Sequence, residues 1–236
     1  VPDTTPESIE RAVTQLRREQ VDGIIVLAPQ VRVFNAVHAM PVDIPFVSLQ
    51  AASGGLEDRI APDQVAGARS AVEHLIELGH VDILHLSGPQ DWIEADSRMH
   101  GYLSALRDAD LPTIPPIRGD WTADFGHFAG VELARRGGFT AAFVGNDTMA
   151  IGFMHGLRSH GLRVPEDISV IGFDDIPVSA HVFPSLSTIH VDFAELGRRA
   201  VELLVAELTG AAQPPLELLH PRLVVRESTA PPSRTA

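Results

Sequence analysis

The 236-residue chain contains neither cysteine nor lysine, so all 18 of its basic residues are arginine. Without cysteine it has no disulfide and no thiolate that could bind a metal or attack a substrate. This composition fits the cytosolic location that we expect, and it fits equally an exported protein that needs no disulfides. Because there is no lysine, the chain has no lysine-containing phosphate loop, and neither G-x-G-x-x-G nor G-x-S-x-G occurs in it. Kinase, dinucleotide-binding and nucleophile-elbow hydrolase functions therefore have no support.

The charge balance is acidic, with a formal net charge of −13 and no basic run longer than an adjacent pair of arginines. A surface of this sign repels phosphate backbones, so this segment alone is not expected to bind DNA or RNA. No apolar run approaches the length that spans a membrane, and the first residues lack the pattern of a signal peptide. We therefore expect a soluble segment without a membrane partner.

Short apolar runs alternate with segments of helical period along most of the chain. The runs that predict buried strands are 23–28, 44–49, 81–88, 140–145 and 167–173, and the helical segments are 6–18, 64–78, 92–109, 124–136, 147–160 and 193–209. Strands separated by helices of this length indicate right-handed βαβ crossovers on parallel sheets that are covered on both faces. The predicted fold class is α/β, with doubly wound parallel sheets. Since the first good strand begins only at residue 23, we expect further strands upstream in the natural chain.

Residues with strong end preferences support these helix assignments. Asp63 and Asp147 are predicted to cap the first turns of their helices, because an aspartate side chain can accept hydrogen bonds from the free N–H groups there. Gly79 and Gly161 are predicted to end two helices, because glycine adopts the left-handed conformation that closes the last turn.

Ligands of open parallel sheets bind beyond the carboxyl ends of the strands, so polar residues that directly follow a predicted strand are candidates for a site. Gln50, Asn146 and the adjacent pair Asp174 and Asp175 stand at such positions. The pair could act as general acid and base. However, neighbours on an extended strand point to opposite sides, so both are not expected to reach one substrate atom. A structural role in the turn before Pro177 is as well supported by spacing as a ligand-binding role.

Arg98 and Trp121 are also predicted to lie near strand ends. An indole can stack on the apolar face of a sugar ring, while guanidinium, amide and carboxylate groups form hydrogen bonds with its hydroxyls. Core packing is the more common role of a tryptophan, but its combination with Arg98, Asn146 and Asp174 favours a ligand site. The eleven histidines have no HExxH or HxH spacing and no matching acidic ligands, so the sequence predicts no metal site and no cofactor.

Several segments of the sequence carry a resemblance to a known family. They are AVEHLIELGHVDILHLSGP (71–89), SRMHGYLSAL (97–106), GDWT (119–122), FVGNDTMAIGFMHGLRSHGLRVPEDISVIGFDDIP (143–177), PSLSTI (184–189) and PRLVVREST (221–229). Together they closely resemble the effector-binding core of the LacI/GalR family of bacterial transcriptional repressors. The resemblance covers nearly the whole chain in order, and the long block that contains GFDD is its most specific part.

The resemblance implies a periplasmic-binding-protein-like fold, in which two doubly wound α/β subdomains are joined by three crossovers and hold a small effector, usually a sugar, between them. The N-terminal subdomain would comprise residues 1–62 and about 192–216, without the family's first βα unit. The C-terminal subdomain would comprise residues 63–190 and about 217–228, followed by a tail at 229–236. The family's helix-turn-helix headpiece and hinge helix are absent from this sequence.

The resemblance also implies which residues bind the effector, by their positions in the matching motifs. They are Arg98, Trp121, Asn146, Asp174 and Phe193, and with less support Gln50, where family members vary. Arg98 would bind effector hydroxyls, with Asn146 and Asp174 as its polar partners. Trp121 and Phe193 would form the apolar walls of the pocket. Asp175 would hold the loop rather than touch the effector.

The implied function is that of a sensor without catalytic activity. Effector binding would shift the population of conformations, and so control how an upstream headpiece binds operator DNA. The implied assembly is a homodimer formed through the core. One alternative is an extracytoplasmic sugar-binding protein of a transporter, which would share the fold and carry an upstream signal peptide. A sugar-processing enzyme with Asp174 as base is a second alternative, and the absence of a second placed acid, nucleophile or metal set argues against it.

Overall fold

The structure is a computed structural model that describes residues 5–39, 44–49, 60–212 and 218–233. In chain order, its helices and strands are α1 (Pro6–Arg18), β1 (Ile24–Val26), α2 (Val31–Ala39), β2 (Phe46–Ser48), α3 (Gln64–Glu77), β3 (Ile83–Ser87), α4 (Ile93–Asp108), β4 (Ile117–Arg118), α5 (Ala123–Arg136), β5 (Ala141–Val144), α6 (Asp147–Ser159), β6 (Ser169–Ile171), β7 (Thr188–His190), α7 (Phe193–Thr209) and β8 (Arg222–Val224). A short 3₁₀ helix, Pro177–Ala180, lies between β6 and β7. No helix in these ranges is long and apolar enough to cross a membrane.

Contacts between residues divide the chain into two compact units. Unit 1 consists of Val1–Pro62, Asp91–Ile93 and Asp192–Leu219, and unit 2 consists of Asp63–Gln90, Glu94–Val191 and His220–Ala236. Apart from the short Asp91–Ile93 segment, the chain changes unit three times, at residues 62/63, 191/192 and 219/220. Both units are therefore built from segments that are far apart in the sequence.

Unit 2 contains a four-stranded sheet in the order β4-β3-β5-β6, and all of its neighbouring strands run parallel. Successive side chains of a strand point to opposite faces. Leu84 and Val144 accordingly pack with residues of α5 and α6, whereas Ile83 and Phe143 pack with residues of α3 and α4. Both faces of the sheet are thus covered by helices, which confirms the predicted α/β class with parallel, doubly wound strands.

A second pair of strands in unit 2 was not expected from the sequence pattern. β7 and β8 pair antiparallel, with Ile189 opposite Leu223, and an isolated parallel bridge joins Ile171 of β6 to Ser187. Each of these two strands has only three residues, too few for alternation of polar and apolar residues to indicate a strand. The helix α2 and the two-residue strand β4 were missed as well.

Unit 1 has two parallel strands in its described part, β1 and β2, in a register that places Ile24 opposite Phe46. Val47 of β2 packs against Leu196, Ala200 and Leu203 on one face of α7. The backbone of Gly23 approaches α7 closely, because a Cβ atom at this position would lie 2.8 Å from Leu204 Cδ1. The predicted strands at 23–28 and 44–49 are confirmed, with shorter bounds.

The predicted helix ends are confirmed at three of four positions. Asp63 caps α3, since its Oδ1 accepts a hydrogen bond from the Ala66 N–H at 2.9 Å. Gly79 and Gly161 follow the ends of α3 and α6 with φ of +98° and +81°. The prediction for Asp147 is wrong, because Asn146 is the cap of α6 and Asp147 is the first residue of the helix.

Candidate functional site

Arg98 on α4 is 5% exposed, and its guanidinium group donates hydrogen bonds in three directions. Nη2 donates to Asp174 Oδ1 at 3.0 Å, Nε donates to Gln64 Oε1 at 2.8 Å, and Nη1 donates to the carbonyl oxygen of Gly145. The planar fork of an arginine is well suited to such convergent acceptors. Its partners come from the start of α3, the end of β5 and the loop after β6, so the fold of unit 2 fixes its orientation.

Aromatic rings complete the surroundings of this guanidinium. Arg98 Cζ lies 3.7 Å from the centroid of the Phe173 ring and 5.7 Å from that of the Trp121 ring. A cation over the face of an aromatic ring is attracted by the negative charge of the π system, and the attraction grows when water is excluded. The rings therefore favour a guanidinium group at this buried position.

Trp121 is held against two glycines at the ends of β3 and β5. A Cβ atom on Gly88 would lie 2.0 Å from Trp121 Cζ2, and one on Gly145 would lie 3.2 Å from Trp121 Cζ3. Any larger residue at 88 would displace the ring. The backbone of Trp121 has φ of +72°, a left-handed conformation that is uncommon for a bulky residue and occurs frequently at functional sites.

The amide group of Asn146 has local hydrogen bonds at both ends. Its Oδ1 accepts from the Met149 N–H at 2.9 Å, which caps α6, and its Nδ2 donates to the carbonyl oxygen of Trp121 at 3.3 Å. Asn146 thus fastens the Trp121 loop to the start of α6. A direct hydrogen bond from Asn146 to an effector stays a prediction.

Asp174 and Asp175 lie beyond the end of β6 rather than on an extended strand, with φ of +105° and +56°. The expectation that an extended strand points their two side chains to opposite sides is therefore wrong, because the two residues do not lie on an extended strand. Their partners nevertheless differ. Asp174 accepts from Arg98, whereas Asp175 accepts from Arg226 Nη2 at 2.6 Å and contacts His190 Nδ1 at 2.9 Å. The two carboxylates do not converge on one point, as an acid and base couple would.

The environments of these carboxylates also shift their pKa values in opposite directions. Burial raises the pKa of Asp174, and the charge and hydrogen bond of Arg98 offset this only in part. Burial also acts to raise the pKa of Asp175, but the hydrogen bonds and charges of Arg226 and His190 outweigh it and hold this pKa below its usual value. Asp175 therefore has the chemistry of a structural ion pair, while Asp174 is the more readily protonated of the two.

His85 is a buried residue near the guanidinium that sequence reasoning did not single out. Its Nδ1 donates to the carbonyl oxygen of Phe143 at 3.0 Å, and its ring stacks on the Phe143 ring with 4.7 Å between centroids. Burial is the main cause that lowers its pKa to about 4, and the nearby charge of Arg98 lowers it further. His85 is therefore neutral near pH 7.

The structure brings together four of the six predicted site residues. Arg98, Trp121, Asn146 and Asp174 lie in unit 2 and contact one another directly or through one residue. Phe193 belongs to unit 1, where it starts α7 and is 54% exposed. Gln50 lies outside the described residues.

Two partners of Arg98, Gln64 and Phe173, were missed by sequence reasoning. Gln64 follows the cap residue of α3, and Phe173 belongs to the GFDD block, but neither position reveals a contact with Arg98 from spacing alone. Within the described ranges, no group of three or more histidine, aspartate or glutamate side chains could hold a metal ion.

The chain as a whole is similar to several known proteins. Residues 72–229 match the family described as periplasmic binding protein-like domain. The lactose operon repressor of Escherichia coli is 35% identical over 233 residues, and the HTH-type transcriptional regulator CelR of Thermobifida fusca is 32% identical over 231 residues. These matches cover 98% and 93% of the chain, which spans 65% and 66% of the two relatives.

Solved structures show the same relationship in three dimensions. A dimeric Lac repressor with a C-terminal deletion superposes with a TM-score of 0.91 at 34% identity, covering 98% of this chain and 86% of that one. A complex of the regulator CelR with cellobiose superposes with a TM-score of 0.84 at 32% identity, covering 93% of this chain and 69% of that one. The matched domain is thus of the periplasmic binding protein-like class. The chain belongs to the LacI family of transcriptional regulators.

Proposed function

We propose that this chain is the effector-sensing core of a LacI-type transcriptional regulator. Arg98, Asp174 and Trp121 would bind a small polyhydroxylated effector, most simply a sugar. Effector binding would then control how a helix-turn-helix region of the longer natural protein binds operator DNA. The single observation that carries the proposal is the buried Arg98 guanidinium, held between Asp174, Gln64 and the Phe173 ring at the carboxyl ends of the sheet strands.

The chemistry of this array supports a polyhydroxylated ligand. A carboxylate has about four acceptor sites, and the hydrogen bond from Arg98 uses one of those on Asp174. Hydroxyl groups can donate to the remaining acceptors of Asp174 and accept from the guanidinium. The Trp121 ring offers an aromatic face that can pack against the C–H groups of a sugar.

The relatives support a regulatory role and a sugar ligand. The solved structure of one related regulator is a complex with cellobiose, and another relative is the repressor of the lactose operon. The relatives carry the names of transcriptional regulators, so we propose a regulator in the cytoplasm rather than a transport protein or an enzyme. Two of the similar Lac repressor structures are described as dimers, and we propose a homodimer for this chain also.

The proposed mechanism is a shift of population between two conformations with different operator affinity. An effector changes this equilibrium only as far as it binds one conformation more tightly than the other. A change of about a hundredfold in operator affinity needs a difference of about 2.7 kcal/mol in effector binding. Two or three charge-assisted hydrogen bonds that form in one conformation only are enough to supply this difference.

A thermal-shift screen against mono- and disaccharides, including cellobiose and lactose, tests the proposal. A sugar at about a hundred times its dissociation constant stabilises the native state by about 2.7 kcal/mol. The sugar that raises the melting temperature is then titrated by calorimetry into the wild type, Asp174→Asn and Trp121→Ala. Asp110→Asn is the matched control, because Asp110 also has a positive φ, of +55°, but is exposed at the end of α4.

We expect Asp174→Asn to weaken sugar binding by about tenfold to a hundredfold, since a charge-assisted hydrogen bond contributes about 1.5–3 kcal/mol. Trp121→Ala should weaken binding to every sugar in the same proportion, and Asp110→Asn should bind as the wild type does. Unchanged affinity in Asp174→Asn would remove this array from the effector site. A screen in which no sugar stabilises the protein would refute the sugar as the ligand class.

A further inference from the structure

Two histidines on neighbouring helices of unit 2 lie in direct contact outside the candidate site. His127 is on α5 and His155 is on α6, and their Nδ1 atoms are 3.1 Å apart. Their ring centroids are 4.8 Å apart, with 31° between the ring planes. His155 is exposed and His127 is half-buried, so solvent and dissolved ions reach the pair. The sensing function proposed above makes no use of it.

The spacing of the two rings is set by an unusually close approach of the helix backbones. A Cβ atom on Gly126 would lie 2.1 Å from the carbonyl oxygen of Met149, and one on Gly156 would lie 2.3 Å from the carbonyl oxygen of His127 itself. Glycines one residue before His127 and one residue after His155 therefore allow the two backbones to touch. The histidines project from a rigid scaffold, which keeps the ordering entropy of a ligand set small.

We propose that His127 and His155 form a two-histidine chelating site for a divalent transition metal ion, Cu²⁺ or Ni²⁺, whose other coordination positions are filled by water. Two nitrogens that are 3.1 Å apart and each about 2.0–2.1 Å from a metal ion subtend about 95–102° at the ion. This angle suits two adjacent positions of a square-planar or octahedral complex. A tetrahedral Zn²⁺ site requires a wider angle, and hence a longer separation of the nitrogens.

The protonation of the two rings is compatible with coordination. In the metal-free pair, one Nδ1 carries the proton that it donates to the other Nδ1. When the metal binds, that proton moves to Nε2 of the same ring, so that both Nδ1 atoms present lone pairs to the ion. The imidazole nitrogen also decides the class of metal, because Mg²⁺ and Ca²⁺ prefer oxygen ligands, whereas Cu²⁺ and Ni²⁺ bind imidazole well.

Calorimetric titration of the chain without a polyhistidine tag, using NiCl₂ and CuCl₂ in a weakly coordinating buffer, tests this site. We expect one site per chain in the wild type, and an affinity at least tenfold lower in His127→Gln and in His155→Gln. His100→Gln is the matched control, because His100 is likewise exposed on a helix, α4, and its Nδ1 contacts the backbone oxygen and the carboxylate of Asp96 rather than a second histidine. This control should keep the wild-type affinity, and MgCl₂ should give no binding heat at the site.

A second measurement does not depend on any variant being folded. Cu²⁺ is paramagnetic, so at substoichiometric amounts it should broaden the imidazole NMR signals of His127 and His155 in the wild type before those of the other histidines. Broadening centred elsewhere, or equal affinity for Ni²⁺ and Cu²⁺ in the wild type and His127→Gln, would overturn the proposal. The outcome of these metal-binding experiments is independent of the outcome of the sugar experiments.

Discussion

Two buried carboxylates in unit 2 differ in the charge of their partners. Asp174 faces the guanidinium of Arg98, whereas all the donors to Asp147 among the described residues are neutral. These donors are the hydroxyls of Ser179 and Thr188, both at 2.6 Å, and the Ile176 N–H at 3.0 Å. Without a cationic partner, burial is the largest influence on Asp147, and it raises the pKa of this residue to about 6. Asp147 therefore joins the 3₁₀ helix to β7 at the cost of an uncompensated charge near pH 7.

This environment predicts a particular pH dependence for Asp147. Its pKa is higher in the folded state, at about 6, than the ordinary value of 3.8, so the folded state binds the proton more tightly. The contribution of this group to stability is full below about pH 3.8 and is lost as the pH rises through about 6. The loss is on the order of 3 kcal/mol, because one pKa unit corresponds to about 1.4 kcal/mol.

Asp147→Asn removes this titration, and we expect it to destabilise the fold at acidic pH because an amide replaces one of the two acceptor oxygens. The difference in unfolding free energy between wild type and Asp147→Asn should narrow from pH 4.5 to pH 7. Urea unfolding of both proteins at several pH values measures it. A difference that stays constant or widens over this range would contradict the raised pKa.

Between elements, the packing of α5 on α6 depends on the absence of side chains at the contact. Gly126, Gly130, Gly152 and Gly156 face the partner helix, and each would place a Cβ atom within 2.5 Å of a backbone atom there. Helices usually pack 8–10 Å apart, at a distance set by their side chains. Glycines allow a closer approach of α5 and α6. Residues of both helices belong to the hydrophobic core cluster against which Trp121 packs.

Gly152→Ala tests this packing. Its Cβ would lie 2.0 Å from the carbonyl oxygen of Ala123, a backbone atom that cannot turn away, so we expect a loss of at least about 1–3 kcal/mol of unfolding free energy. Gly197→Ala on α7 is the control, since no atom of the described residues, apart from the adjoining residues and backbone of α7 itself, lies within 4 Å of a Cβ at that position. Alanine there should stabilise by about 0.5–1 kcal/mol through helix propensity. Thermal unfolding followed by circular dichroism compares the two, and equal stabilities would refute the close helix contact.

Across the whole chain, the segment after residue 219 returns to unit 2 and completes it. Ser228 is fully buried, and its hydroxyl donates to the carbonyl oxygen of Val170 at 2.6 Å and accepts from the Ser187 N–H at 2.8 Å. Arg226 of the same segment reaches Asp175 beside the candidate site. The order of the site loop thus depends on residues about fifty positions further along the chain.

Ser228→Ala tests this closure. It leaves a buried carbonyl group and a buried N–H group without their partner, which costs about 1–3 kcal/mol. Ser104→Ala is the control, because the Ser104 hydroxyl donates to Gly101 within α4, and alanine is a better helix former. We expect a clear fall in the urea midpoint for Ser228→Ala only. A similar midpoint for both variants would show that the segment contributes little to unit 2.

Local pattern predicted the buried strands and long helices correctly, because their periodicity and end residues are properties of neighbouring positions. The GFDD block also made Asp174 a candidate through its resemblance to a family, and its role in effector binding stays a prediction. The same reasoning assigned the wrong cap at Asp147, since Asn146 and Asp147 have similar preferences for a helix start. Which of them caps the helix depends on Ser179 and Thr188, which approach from distant parts of the chain.

Composition and spacing alone were enough to establish the α/β class, the acidic surface and the positions after strands where polar groups gather. Only the folded chain decided what these groups contact: Arg98 and Asp174 are 76 positions apart, and no periodicity links them. The same holds for the pairing of β7 with β8 and for the contact of His127 with His155. Secondary structure follows from interactions between near neighbours, whereas a site follows from contacts that form only when the chain packs.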